Sequence, residues 1–440
     1  MSTDIQNYIS DFDRLKNDDW FANSRQSALN LFKDTGFPNS RLENWKYTDV
    51  RPIKKKSFSN VTEAAVSVST EEINTIRFDG LDCIEVVFIN GVFSKEHSSL
   101  DDLDNGLVVE NMLDALSNDQ DLLAKHLTKY ADDKVSPFTA LNTAFIQNGT
   151  FINVSANTVI EKPINILYLA KDSNGSLATH PRNLIVMGEG SEATVIESYI
   201  GLDDANYFTN AVTEVALSSS AILKHYKIQQ ESLNAYHIGN LNVMQGKDSK
   251  FESHSISLGG ALVRNDIHGQ LAAEGAEIIM NGLYMTGDKQ HVDNHTRVDH
   301  LKPHTLSTEN YRGVLNGKSR AVFNGKVIVH KDAQKIEAHQ NNANLLLSDD
   351  AEIDTKPELE IYADDVKCTH GATVGQLDQN MLFYLRSRAI DEETARSLLT
   401  YAFADELISN INFAPIRNRL ERLVIGQLPD AALIREFTNE

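Results

Sequence analysis

GSEATVIES (residues 190–198), SSAILKHY (219–226), DSKFESHS (248–255) and GAEIIMNG (275–282) share one pattern: a small or acidic turn residue, then alternating apolar and polar positions. They begin at residues 190, 219, 248 and 275, so successive starts lie 29, 29 and 27 residues apart. Alternation with period two is the side-chain rhythm of a β-strand, and near-constant spacing is the mark of coils stacked in a parallel β-solenoid. KSRAVFNG (318–325), DAQKIEAH (332–339) and DAEIDTKP (350–357) keep the pattern but lose the spacing. The repeat degrades after Gly275, which leaves a jelly roll or β-sandwich as the competing architecture.

Outward from this stretch, the strand-rich texture extends from about residue 85 to 385, with short runs of Val, Ile, Thr, Phe and Tyr divided by Gly, Asn, Asp and Ser. One helical insertion is predicted near 111–130, from Met112, Leu113, Leu116, Leu122, Leu123 and Leu127, with Pro137 beyond it. Residues 1–84 form a predicted N-terminal helical region. Leu15, Phe21, Leu29, Leu31 and Phe32 supply an apolar face up to about residue 35, and Gly36 and Pro38 stop it. Residues 386–440 return to helix. Asp391 is a predicted N-cap for a segment with Ala395, Leu398, Leu399, Ala402, Phe403, Leu407, Ile408 and Ile411 on helical spacing. Pro415 opens a second helix with Ile416, Leu420, Leu423, Val424 and Leu428. Two such amphipathic helices are expected to cap the solenoid and to present a docking face.

Composition excludes several functions. The formal charge of −21 argues against nucleic acid or an anionic membrane surface as partner. MSTDIQNYISDFDRLKNDDW (1–20) lacks a basic and then apolar leader pattern, and no apolar run approaches the ~20 residues that span a bilayer. A soluble cytoplasmic protein is expected. The only cysteines are Cys83 and Cys368, so a disulfide framework is excluded and this chain cannot close a four-cysteine metal site.

Three motifs invite chemistry. GVLNGKS (313–319) mimics a phosphate-binding loop, but only Val314, Leu315 and Asn316 stand where four residues are required, and AVFNGKVIV continues as a strand where a helix must begin; a solenoid turn is predicted. HVDNHTRVDHLKPH gathers His291, His295, His300 and His304 around Asp293 and Asp299, donors suited to iron or zinc, with polar solenoid turns as the plainer reading. In YADDVKCTHGATVGQ (362–376), alternation through Ile361, Ala363, Val366 and Cys368 predicts a strand that projects Cys368 and His370 from one face, with Asp364 and Asp365 just upstream. Thiolate and imidazole suit iron. A core cysteine beside a hydrogen-bonded histidine is the alternative. Trp45 and Tyr47, in GFPNSRLENWKYTDVRPI (36–53), read as an aromatic anchor, and Lys54–Lys56 as a solvated charge run.

CTHGATVGQLDQNMLFYLRSRAI (368–390), ENWKYTDV (43–50) and the span from GTFINVSANTVIEKPINILYL to the C-terminal helices together resemble the SufB/SufD family of iron-sulfur cluster assembly proteins over nearly the whole chain. WKYT after a GFP turn, and THGATVG, resemble its SufD branch. The resemblance implies a right-handed parallel β-helix between helical ends, edge-to-edge pairing with a SufB-type scaffold, and a SufC-type ATPase carried on the C-terminal helices. It implies a non-catalytic subunit, in which His370 meets a partner cysteine at the interface and Cys368 lies beside it. A transient cluster or iron would sit there on ligands shared with the partner, not bound stably by this chain alone; a homodimer is possible in isolation. The alternatives are a SufB-like homodimeric scaffold and a solenoid enzyme acting on polysaccharide.

Overall fold

The computed structural model describes residues 5–438 except 16–17, 57, 61–65, 102, 173–174 and 430, and only the backbone of 436–438. Two sheets run the length of the core, one of ten strands and one of eleven among the described residues. The chain alternates between them, as in Glu192–Gly201, Tyr207–Leu217, Ile222–Gln230 and Tyr236–Gln245, so each coil gives one strand to each sheet. From Arg182 to Gly375 the ladders are parallel, for example Leu223↔Phe251 in the ten-stranded sheet and Ile267↔Thr296 in the other. Antiparallel pairing is confined to the opening strands, Ile84–Ile89 with Val92–Phe93 and Leu107–Asn111 with Thr150–Val154. A sandwich or jelly roll needs antiparallel neighbours throughout. The core is a parallel β-solenoid of about eight turns.

The corners explain why the sequence repeat fades. Each strand of the ten-stranded sheet from Glu192 to Glu337 is entered through a residue of positive φ: Gly190, Ser220, Asp248, Gly275, His304 and Lys335. Several of these donate their backbone N–H to the next coil, Asp248 to Glu274 O and His304 to Gln334 O. The left-handed conformation suits Gly, Asp and Asn. At His304 and Lys335 packing imposes it on residues that carry no such signal, so the period persists at Leu306–Leu315 and Glu337–Leu346 after its sequence mark is gone. KSRAVFNG and DAEIDTKP fall out of spacing because their strands, Arg320–Val329 and Glu352–Ile361, belong to the eleven-stranded sheet.

Interior-facing residues form one long core, with Phe88, Tyr168 and Tyr199 stacked ring on ring at 4.9 Å where their strands stand in register. The outer faces are covered unequally. Helices Gln6–Phe12, Ala22–Thr35 and Pro137–Ala144 pack over the eleven-stranded sheet, on Phe208, Tyr236, Ile238 and Leu262. Gly36, at φ 64°, ends the second of these as its sequence predicts. The helical insertion is two helices, Met112–Asn118 and Gln120–His126, broken at Asp119.

At the C-terminus four helices, Gln379–Ser387, Glu392–Ile408, Ala414–Gly426 and Ala431–Thr438, replace the expected two. Asp391 caps as predicted, accepting from the N–H of Glu393 and Thr394. The apolar stripe of Ala404, Leu407, Ile408, Ile416, Leu420 and Val424 is buried on the outer face of the ten-stranded sheet, against Tyr226, Ile228, Ile256 and Leu283. These helices therefore flank the solenoid and do not cap its end, and the stripe expected to fill a partner's groove is consumed within the chain.

Candidate functional site

Among the described residues the solenoid ends on two strands: Glu352–Ile361 closes the eleven-stranded sheet and Lys367–Gly375 the ten-stranded one. The single strand expected from Ile361 through Cys368 is thus two strands in different sheets, joined by a turn in which Asp364 and Asp365 are exposed. Cys368 and His370 do share a strand and, by alternation, a face, the one turned to the solenoid interior. Cys368 is half-buried against Val327, Val329, Ile336 and Ala338, and burial raises its thiol above the ordinary range. His370 is exposed at the open mouth.

Lys367 N donates to Ile336 O, so in this parallel ladder the backbone groups of Lys367, Thr369 and Gly371 face the neighbouring strand. Those of Cys368, His370, Ala372 and Val374 face outward. Just past this edge, helix Gln379–Ser387 leaves Met381, Phe383 and Tyr384 exposed, Phe383 by 75%. A strand edge without a neighbour, beside exposed apolar side chains, is the kind of surface on which another chain can pair.

Beneath His370 the interior is polar. Register sets His370 over Gln340, and Gln340 over Glu309. Thr296 Oγ1 and Gln340 Nε2 both donate to Glu309 Oε2. Glu309 Oε1 and Gln340 Oε1 are buried with no hydrogen-bond partner among the described residues, and burial raises the Glu309 carboxyl to about 7. Neither residue stood out in the sequence, because a Glu and a Gln in strands of alternating polarity look like solvent-facing positions. A second buried polar group lies deeper. Burial alone would raise Glu197, but hydrogen bonds from His225, Thr213 and Tyr199 hold it at about 2, while burial lowers the ammonium of Lys227 to about 8. These groups line an interior cavity of about 20 Å³, room for a single water.

The histidine-rich strand His291–His300 does not gather its imidazoles. Alternation sends His291, Asp293, His295 and Asp299 to the outer face and His300 inward, where it meets Thr305 and Ser307; His304 is a corner residue. Thr48 Oγ1 donates to Asp293 Oδ2 and receives the Nε2–H of His291 at 2.8 Å. Arg264 reaches the same carboxylate oxygen at 2.8 Å, binds Asp266, and lies 3.9 Å over the Trp45 ring. Burial opposes charge on Asp293, yet His295 and Arg264 hold its carboxyl far below the usual range. Asp299 is similarly occupied by His268, Arg297 and His330. The strand and the WKYT segment, two separate motifs in the sequence, are one structural clamp, with Trp45 the anchor predicted and Lys54–Lys56 exposed. Among the described residues no three of His, Cys, Asp and Glu are arranged to hold a metal ion. Gly313–Leu315 ends the strand Leu306–Leu315 and 316–319 is the solenoid turn after it: Gly317 has φ 65°, and Ser319 accepts from Thr286 rather than facing a phosphate.

Residues 168–403 match the family model of the SUF system FeS cluster assembly SufBD core domain, and residues 7–166 match that of the SufBD protein N-terminal region. The chain belongs to the SufBD family of iron-sulfur cluster assembly proteins. It is similar to a SufBD family iron-sulfur cluster assembly protein of Synechocystis (32% identity, covering 92% of this chain and 91% of the relative). It is equally similar to the iron-sulfur cluster assembly protein SufD of Escherichia coli (32%, 92% and 93%), and more distantly to SufD of Bacillus subtilis (26%, 95% and 97%). Within the family it is SufD-like.

Proposed function

We propose that this chain is the SufD-type, non-catalytic subunit of a SUF assembly complex. It pairs through its open solenoid edge with a SufB-type scaffold and offers His370, with Cys368 beside it, to a cluster or iron whose remaining ligands come from that partner. The observation that carries this is the edge strand Lys367–Gly375: among the described residues its outward backbone groups are unpaired, it bears both candidate donors, and the helix after it exposes Met381, Phe383 and Tyr384. Two donors cannot complete a coordination set, so the site needs the second chain. The cluster is cargo here, not a resident cofactor.

The test is the iron and sulfide content of the co-expressed complex. His370→Ala should leave the complex intact and strongly reduce loading; Cys368→Ala should have a weaker or comparable effect. Full loading with His370→Ala rejects the ligand role, and loss of the complex makes the histidine structural.

A SufC-type ATPase is proposed to dock on the C-terminal helices through their polar outer side, since the apolar stripe is spent on the sheet. Ala402→Arg and Asn418→Arg, both at exposed helical positions, should abolish co-purification of the ATPase without disturbing the fold. Retention by both variants rejects this docking site.

A further inference from the structure

We infer that Asn316 is a modification site, at which this chain ages by closing the Asn316 side chain onto the backbone nitrogen of Gly317 with loss of ammonia. The sequence carries seven Asn–Gly pairs. In each, the nitrogen after the asparagine is open to attack because glycine has no Cβ to shield it. The fold disqualifies most of these pairs. Asn281 and Asn324 lie within strands paired on both sides, so the following N–H is held in a ladder. Asn90 is buried, with both ends of its side-chain amide bonded to the backbone of Lys171. Gly149, after Asn148, is buried against the backbone of Arg182. Among the described residues this leaves Asn105 and Asn316, both exposed in turns.

The two differ in what holds the side chain. At Asn316 the N–H of Gly317 donates to Oδ1 at 2.9 Å, so the amide carbon Cγ, one bond from that oxygen, is already folded back beside the nitrogen it must meet. Gly317 stands at φ 65°, and the N–H groups of Asn316 and Lys318 are tied to Thr286 O and Asp288 O of the coil below, which keeps the turn in this shape. Asn105 makes no such bond to Gly106. Reacting atoms held side by side need no search before they meet. A bond forms between Gly317 N and Asn316 Cγ, and the bond from Cγ to Nδ2 breaks. The proton of the attacking nitrogen passes through solvent to the departing ammonia, and water then opens the cyclic imide to aspartate or isoaspartate. The product matters at this corner. Ser348 Oγ donates to Gly317 O, so the turn joins the coils on either side of it. Isoaspartate inserts a backbone carbon there, and either product adds a carboxylate to a chain already at −21.

The test ages the isolated full-length parent at physiological temperature and mildly alkaline pH, and maps its peptides by mass spectrometry with aspartate and isoaspartate resolved. Residue 316 should convert first, several-fold ahead of Asn105, with the strand-held pairs intact. The rate should rise with pH, since the attacking nitrogen must give up its proton. In urea the lead of residue 316 should vanish as every pair becomes equally free. A lead by Asn105 or by any other pair in the folded chain overturns the inference, as does an intact residue 316 under conditions that convert the unfolded chain. Asn316→Ser removes the reacting amide. On ageing, the melting temperature of the parent should fall and that of the variant should hold; an equal fall in both would show that conversion at this corner does not loosen the solenoid.

Discussion

Glu309 is the residue whose environment departs furthest from its sequence appearance. Burial lifts its carboxyl from 4.5 to about 7, so between those values the folded chain holds a proton that the unfolded chain has lost. Stability therefore falls as pH rises through that window, by an amount on the order of 3 kcal/mol. Glu309→Gln keeps both accepted hydrogen bonds and removes the titration. The gap in urea midpoint between about pH 5 and about pH 8 should shrink in the variant; an unchanged gap would mean that the carboxyl titrates normally. Arg264 makes the opposite point, since it is buried and already paired. Arg264→Ala strands Asp266 and Asp293 and removes the lid over Trp45, at a cost of ~3–5 kcal/mol. Thermal melts should show the loss, and limited proteolysis should now cut near Trp45. Resistance to cleavage there would mean that the N-terminal segment is held by other contacts.

Among the elements, the edge strand and the C-terminal helices are the proposed partner surfaces, and they respond differently to change. The outward N–H of Ala372 has no hydrogen-bond partner among the described residues, so Ala372→Pro removes a donor that the proposed pairing would use. The isolated variant should melt within a few degrees of the parent and fail to form the scaffold complex in a pull-down. A complex of normal yield would show that pairing does not run through this edge. Deleting the chain from Asp391 onward is a harsher change than the sequence suggests. It uncovers Tyr226, Ile228, Ile256 and Leu283, and the product is expected to aggregate instead of remaining soluble. Point changes on the exposed side are for that reason the informative ones.

For the molecule as a whole, a long solenoid with an unpaired end and a charge of −21 sets attraction at one edge against repulsion everywhere else. Without its partner the chain should self-associate through that edge, and more strongly as salt rises from about 0.01 M to about 1 M and the screening length falls from ~30 Å to ~3 Å. Sedimentation velocity of the parent and of Ala372→Pro distinguishes the cases. The parent should shift toward dimer with salt and the variant should stay monomeric. Equal behaviour would place self-association elsewhere on the surface. No helix among the described residues is long and apolar enough to cross a membrane.

By itself the sequence determined the strand alternation, the spacing of 27 to 29 residues from Gly190 to Gly275, the cap at Asp391, the stop at Gly36, and the pairing of Cys368 with His370 on one strand. Each is a local property, carried by neighbours in the chain. Tertiary structure decided the rest. His304 and Lys335 turn corners because stacked coils force them to. The C-terminal stripe is spent on the sheet because Tyr226 and Leu283 face it. His291 and Asp293 bond Thr48, some 240 residues away. Gln340 and Glu309 become a buried file only when three coils stack in register, because an alternating strand does not reveal which of its faces looks inward until its neighbours are in place.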